Sequence, residues 1–235
     1  MVVGLGPGNR EHLTPRAIEA IAQAQVVIGY RSYIPFIEDL LDGKEVISLG
    51  MHRELERARA ACRIAREGKT VAVVSSGDPG VYGMAGLVLE LAKDVDVEIV
   101  PGVTAATAAA SILGAPLTHD FAVISLSDLL TPWDKIDKRL KAAAEGDFVI
   151  VLFNPRSKGR QEQIQLARQV IMNYREPQTP VGIVRNAKRA EEKAIITDLG
   201  QMLKEDIDMR TTIIIGNSQT VIINGRMVTP RGYLL

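Results

Sequence analysis

The chain carries a single cysteine, Cys62, in 235 residues. No intrachain disulfide can form, which fits a reducing compartment. Cys62 falls in a predicted helix over 54–67, where a small buried packing residue is expected. Aromatic residues make up only 4% of the sequence, too few for a stacking platform that would hold single-stranded nucleic acid. Lys plus Arg (28) and Asp plus Glu (28) cancel, so the basic excess of a general nucleic-acid binder is missing. The three histidines, His12, His52 and His119, stand apart and lack ligand spacing with cysteine or carboxylate; no protein-bound metal is expected. No apolar run reaches the roughly 20 residues of a membrane span. The amino terminus lacks the charged-then-apolar pattern of a signal segment, so a cytoplasmic protein is expected. A strand begins almost at Met1, and a few residues are expected to precede it. No Gly-Lys-Ser/Thr phosphate loop, nucleophile elbow or Ser-His-Asp arrangement is legible.

What is present is a regular alternation of strand and helix patterns. Hydrophobic residues are 46% of the chain, enough for one large domain or two small ones. Strands are predicted at 2–5, 26–28, 45–49, 70–74 and 97–100. Thr14-Pro15 opens a helix with a hydroxyl cap and proline at its first position. An alanine-rich helix is predicted over 104–113. Gly114 to Asp120 contains chain breakers and is the best boundary candidate. A second series follows, with strands at 121–126, 148–153, 180–184, 194–197 and 211–215 and helices at 133–144 and 161–174. Val221 to Val228 reads as a hairpin on an Asn224-Gly225 turn. The expectation is an α/β protein of two lobes, 1–116 and 117–235, with the ligand site in the cleft between them.

The most informative stretch is Ser75-Ser76-Gly77-Asp78-Pro79-Gly80-Val81-Tyr82-Gly83, between a strand and a helix. Its glycines let backbone approach a ligand, and Asp78 sits at a strand's carboxyl end, where open α/β sheets bind small molecules. As a plain turn it would place Asp78 as a cap on the next helix. Gly4-Leu5-Gly6-Pro7-Gly8-Asn9 resembles a dinucleotide fingerprint, but Asn9 replaces its third glycine, and the second strand ends in Gly29-Tyr30-Arg31 without the acidic residue a ribose needs. Basic loops follow several strands: Arg31, then His52-Arg53, then Arg156, Lys158 and Arg160, then Arg185, Lys188 and Arg189. In a mostly parallel sheet these loops share one edge and suit a polyanionic small molecule, because arginine forks recognise carboxylates. Thr131-Pro132 reads as a helix cap. Ser125, Ser127 and Asp128 are either caps or suppliers of hydrogen bonds or a proton to the cleft.

The Gly4 to Gly8 turn, the Gly77-Asp78-Pro79 turn and Pro101-Gly102-Val103-Thr104-Ala105 occur in the order found in the tetrapyrrole methylases, and the chain resembles that family over essentially its whole length. Gly29-Tyr30 through Tyr33-Ile34, the run 113–133 and Phe153-Asn154-Pro155-Arg156-Ser157 resemble one branch, the precorrin-3B or cobalt-factor III C-17-methyltransferases of cobalamin biosynthesis. The resemblance implies two α/β lobes, a homodimer, S-adenosylmethionine as methyl donor and a tetrapyrrole substrate that carries cobalt or lacks it. It implies cofactor contacts from Ser76, Gly77, Asp78, Val81, Thr104 and Ala105, and from Phe153, Asn154, Asn186 and Ala187. Two positions depart from the family's habit, which is often Met-Gly at Phe153-Asn154 and Asn-Gly-Thr at Asn186-Ala187-Lys188. Pro7 and Gly8 would look toward the macrocycle, whose carboxylates account for Arg31, His52, Arg53, Arg156 and Lys158.

Methyl transfer asks mainly for positioning. This branch also contracts the macrocycle, which needs proton transfers. Ser125, Ser127, Asp128, Asn154 and Arg156 are the candidates. The alternatives are another tetrapyrrole acceptor, such as uroporphyrinogen or a different precorrin, and a noncatalytic module that binds an adenosyl ligand.

Overall fold

The computed structural model describes residues 1–233 and divides into two compact units, Met1–Ala105 and Ala106 onward. The first unit contains β1 (Val2–Gly4), α1 (Pro15–Gln23), β2 (Val26–Tyr30), β3 (Glu45–Leu49), α2 (Glu54–Arg66), β4 (Val71–Ser75), α3 (Ala85–Leu91) and β5 (Ile99–Val100). Its strands form one parallel sheet in the order β3-β2-β4-β1-β5. Side chains alternate across that sheet. Val2, Val26, Ile28, Val71 and Val73 pack under α2 and α3, while Val3, Val27, Ala72 and Val74 pack under α1. A strand buried on both faces needs the continuous apolar run that these strands have. Thr14 caps α1 as expected, its hydroxyl accepting from Ala17 N–H at 3.1 Å. Cys62 is buried in the α2 face.

The second unit contains α4 (Ala105–Leu113), β6 (Gly114–Ala115), β7 (Phe121–Ser125), α5 (Trp133–Glu145), β8 (Val149–Phe153), α6 (Gln163–Ile171), β9 (Pro180–Arg185), β10 (Lys193–Asp198), β11 (Thr211–Ile215), β12 (Val221–Ile223) and β13 (Arg226–Val228). The main sheet runs β10-β9-β11-β8-β7. It is not mostly parallel. Only β7 and β8 pair in parallel, whereas β8–β11, β11–β9 and β9–β10 are antiparallel. Because β11 runs backwards between β8 and β9, those two still point the same way. The loops after β7, β8 and β9 therefore share one edge, as expected, and the residues just before β11 join them there.

The units divide at Ala105/Ala106 and not at 116/117, because α4 packs with the second unit. Ala106, Ala109, Ala110 and Leu113 lie against Val149, Val151, Val184 and Ile214. Leu113 covers Gly182, where an added Cβ would stand 2.2 Å from a leucine methyl. The segment 114–115, read as a boundary, instead forms β6 and pairs in parallel with β13. The β12–β13 hairpin turns on Asn224 and Gly225, with φ of 50° and 73°, the left-handed pair a two-residue hairpin demands.

Candidate functional site

In the first unit, the loops after β1, β4 and β5 meet backbone against backbone. Gly6 N–H donates to the Gly77 carbonyl at 3.1 Å, and Gly77 N–H donates to the Gly6 carbonyl at 2.7 Å. Both glycines have positive φ, 63° and 69°. A Cβ on Gly102 would stand 2.2 Å from the Gly77 carbonyl oxygen, and a Cβ on Gly4 2.7 Å from the same atom. β1 and β4 are adjacent in the sheet, and their connections depart to opposite sides, toward β2 and β5. A reversal of this kind is where open α/β sheets form a ligand crevice.

Asp78 does not cap α3, whose amino end has no side-chain cap. One carboxylate oxygen accepts from Gly80 N–H at 2.8 Å and the other from Gly102 N–H at 3.0 Å. The side chain thus closes its own turn and ties it to the loop after β5. The turn folds back further through Ala85 N–H to the Pro79 carbonyl at 2.9 Å, with Gly83 against the Pro79 backbone. Ser76, Gly77, Asp78, Thr104 and Ala105 come together on this shelf. A Cβ on Gly77 would meet nothing closer than Thr104 and Ala105 backbone at 3.9 Å. Val81 lies on the outer, exposed side of the turn.

Pro7 is buried, and Gly8 is half-buried with φ 121°. Asn9 closes its own loop through His12 Nδ1 at 2.6 Å. Arg31, His52 and Arg53 follow β2 and β3 on the same edge and are exposed. Arg53 is already paired with Glu56, one bond at 2.8 Å, and that hydrogen bond raises the guanidinium pKa further. Its guanidinium is thus already engaged by a carboxylate of its own turn, in an exposed pair that solvent screens.

In the second unit four residues form a closed ring of hydrogen bonds. The Ser125 hydroxyl oxygen accepts from Asn154 Nδ2 at 2.9 Å and from Ser127 N–H at 3.2 Å. The Ser127 hydroxyl oxygen accepts from Arg160 Nη1 at 3.3 Å, and Arg160 Nε donates to the Asn154 carbonyl at 3.1 Å. Asn154 sits at φ 52°, in the left-handed region that asparagine and glycine tolerate best. Asparagine holds this backbone with less strain than most other side chains would. Asp128 turns outward and accepts from Gln163 at 2.7 Å, outside the ring. Thr131 does not cap α5, whose first turn lacks a side-chain cap.

Arg156, Lys158, Met209 and Arg210 line an open groove of about 490 Å³. Arg156 Nε is buried there with no hydrogen-bond partner among the described residues. Asp208, on the same groove, is bonded to Arg185 at 2.8 Å. Burial pushes the Asp208 carboxyl up, but bonds from Arg185, Arg210 N–H and Thr211 outweigh it and hold the group below the usual carboxylate range. Asn186 is buried with φ 53° and turns its amide onto the Glu191 carbonyl at 3.4 Å; Ala187 packs on the α4 side of the sheet. Phe153 ends β8 beside Ser125.

Sequence reasoning did not single out the Asp208–Arg210 segment, and it read Arg160 only as one more cation of a basic loop, not as a member of the ring. Arg160 had a legible signal: Ser157 and Arg160 exchange two backbone bonds across Lys158-Gly159, a tight turn that points the arginine back toward β8. Asp208 had none, since its place depends on the direction of β11.

The model of the tetrapyrrole (corrin/porphyrin) methylases matches residues 1–203. A probable cobalt-factor III C(17)-methyltransferase of Salmonella typhimurium is 50% identical over 238 residues, covering 100% of this chain and 99% of the relative. The cobalt-factor III methyltransferase of Priestia megaterium is 48% identical over 99% of this chain, which spans 45% of that longer protein. The crystal structure of the methyltransferase CobJ superposes with a TM-score of 0.88 at 36% identity, covering 97% of this chain and 98% of that one. The uroporphyrin-III C-methyltransferase of Thermus thermophilus, solved with S-adenosylhomocysteine, gives 0.72 at 28% identity over 92% and 90%. With the glycine-locked loops of the first unit and a match of this extent, the chain belongs to the tetrapyrrole methylases.

Proposed function

We propose that this chain transfers a methyl group from S-adenosylmethionine to C-17 of cobalt-factor III, or of its metal-free counterpart precorrin-3B, and contracts the macrocycle in cobalamin biosynthesis. The observation that carries this is the 50% identity, end to end, with a relative named for that reaction. The protein would work in the cytoplasm as a homodimer; no helix among the described residues is long and apolar enough to cross a membrane.

The first unit fits the adenosyl donor. Gly77 leaves open the side facing Thr104 and Ala105, and a side chain there would fill it. Ser76, Gly77, Val81, Thr104 and Ala105 would contact the donor, which when bound supplies an activated methyl group. Asp78 would act by holding two turns in register, since both its oxygens already serve backbone N–H groups. Rigid placement of this kind favours in-line transfer without a strong base.

In the second unit, the family resemblance gives Phe153, Asn154, Asn186 and Ala187 as further donor contacts. Ser125 and Ser127 would serve the contraction, held by Asn154 and Arg160. Asp128, outside the ring and bonded to Gln163, is the less suited acid–base group. Arg156 and Lys158 would hold carboxylates of the macrocycle. Arg156 lines the open groove and makes no ion pair among the described residues, so its guanidinium is free to meet an anion there.

The test is incubation with labelled donor and either cobalt-factor III or precorrin-3B, read by mass and absorption spectrum. A gain of one methyl with the spectrum of a contracted ring is expected. Label appearing only in uroporphyrinogen or another precorrin would move the enzyme to a different step.

A further inference from the structure

Buried arginines elsewhere in this chain face carboxylates. Arg57 donates to Glu54 at 2.6 Å, and Arg175 is paired with Asp147. Arg160 is buried to the same degree, 9% exposed, yet it has no acidic partner within ion-pair distance among the described residues. Its three nitrogens meet the Asn154 carbonyl, the Ser127 hydroxyl and, at 4.0 Å, the sulfur of Met209. A thioether is a weak acceptor. Neutral dipoles offset only part of what it costs to bury a guanidinium, and an apolar side chain of similar volume would avoid that cost. A charge kept under those terms points to chemistry at the group it touches.

That group is Ser127. A hydroxyl oxygen that accepts from a guanidinium directs its own hydrogen elsewhere, and the adjacent cation makes that hydrogen a stronger donor. The arginine is not placed as an open fork for a substrate carboxylate, because it is buried and its Nε and Nη1 already donate to protein oxygens, although one N–H on each Nη stays uncommitted. Arg156, which lines the open groove and makes no ion pair among the described residues, suits that role instead. The Ser157–Arg160 turn and the Asn154 carbonyl fix the arginine from two sides, so its Nη1 has one orientation to offer.

We infer that Arg160 is a positioning residue that sets Ser127 as a hydrogen-bond donor to the tetrapyrrole, at the oxygen or ring atom that gains negative charge during contraction. This rests on the function proposed above and adds to it a division of labour: methylation depends on the first unit's shelf, contraction on the Ser127–Arg160 pair. No bond to Ser127 is made or broken; the hydroxyl stabilises charge by donation.

The deciding measurement is a double-mutant cycle on the purified protein with Arg160→Ala, Ser127→Ala and both together. Turnover of the accepted tetrapyrrole is followed with calorimetry of S-adenosylhomocysteine and thermal melts alongside. Each single variant is expected to lower kcat on the order of 10–100-fold, with the double no slower than the worse single, since the two act as one unit. Methylated but uncontracted product, recognised by its spectrum, builds up, homocysteine-ligand affinity stays unchanged, and Arg160→Lys recovers part of kcat. Should Arg160→Ala fail to fold, Arg160→Gln takes its place in the cycle. Additive losses, a rise in KM at unchanged kcat, or full contraction by Ser127→Ala would each overturn the inference. Failure of the wild type to methylate cobalt-factor III or precorrin-3B would instead overturn the proposed substrate, and the cycle would then be read on whichever tetrapyrrole is methylated.

Discussion

The carboxylate of Asp78 receives the backbone N–H of Gly102 at 3.0 Å across 24 residues of sequence. With Gly80 N–H on the other oxygen, it fastens the loop after β4 to the loop after β5. Asp78→Ala should lower stability by about 2–4 kcal/mol, since hydrogen bonds to a charged group contribute roughly 1.5–3 kcal/mol each and the turn is half-exposed. Asp78→Asn, which keeps one oxygen, should fall between. Urea denaturation measures this, and calorimetry with S-adenosylhomocysteine should show weakened binding in both. An alanine variant of full stability would rule out the fastening role.

Gly102 and Gly86 make opposite predictions. Alanine at 102 would press its methyl to 2.2 Å from the Gly77 carbonyl, and backbone on both sides has nowhere to go. Gly102→Ala is expected to cost about 3 kcal/mol or more and to abolish donor binding. Gly86 lies on α3 with nothing within 4 Å of an added Cβ, so Gly86→Ala should stabilise by about 0.5–1 kcal/mol. Thermal melts of the two variants check both signs.

Arg156→Ala should raise KM for the tetrapyrrole about 10-fold or more while leaving KM for the methyl donor within about 2-fold, because in the function proposed it would remove a carboxylate contact and no donor contact. Steady-state kinetics with each substrate varied in turn decide it. Equal rises in both would count against a carboxylate clamp.

Acid stability should depend on Asp147. Burial raises its pKa, but bonds from Ser218 and the charge of Arg175 outweigh this and hold it below the ordinary value. A carboxyl lowered in the native state stabilises fully above its unfolded value of about 3.9 and loses that contribution as pH falls through the lower native value. Asp147→Asn should be less stable near neutrality, where it strands a buried guanidinium, and should converge with the wild type in acid. Urea midpoints from about pH 2.5 to 7 test the convergence. Parallel curves over the whole range would contradict it.

Local signals in the sequence held at several turns and caps, though the Thr131-Pro132 cap on α5 did not form. Thr14-Pro15 opens α1, Asn224-Gly225 turns the last hairpin, and the strands that begin both sheets lie where apolar runs place them. The three glycine loops were legible as turns at the carboxyl edge of the first sheet. Asp78 was not legible as a tie, because its partner is remote and a backbone N–H leaves no trace in composition. The boundary was misplaced because alanine at 106, 109 and 110 is compatible with either unit, and only Leu113 over Gly182 decides which sheet the helix covers. The direction of β11 was equally hidden, since an apolar pentapeptide reads alike both ways. That direction is what brings Asp208 beside Arg185 and closes the groove near Arg156.

A strand laid in reverse offers its beginning where its neighbours offer their ends. Through β11, the far downstream stretch before Thr211 borders a rim otherwise built from segments upstream of it. Variation at 207–210 would thus retune which acidic fringe of a pigment is accepted, while Ser125, Ser127 and Asn154, anchored on other strands, keep their places.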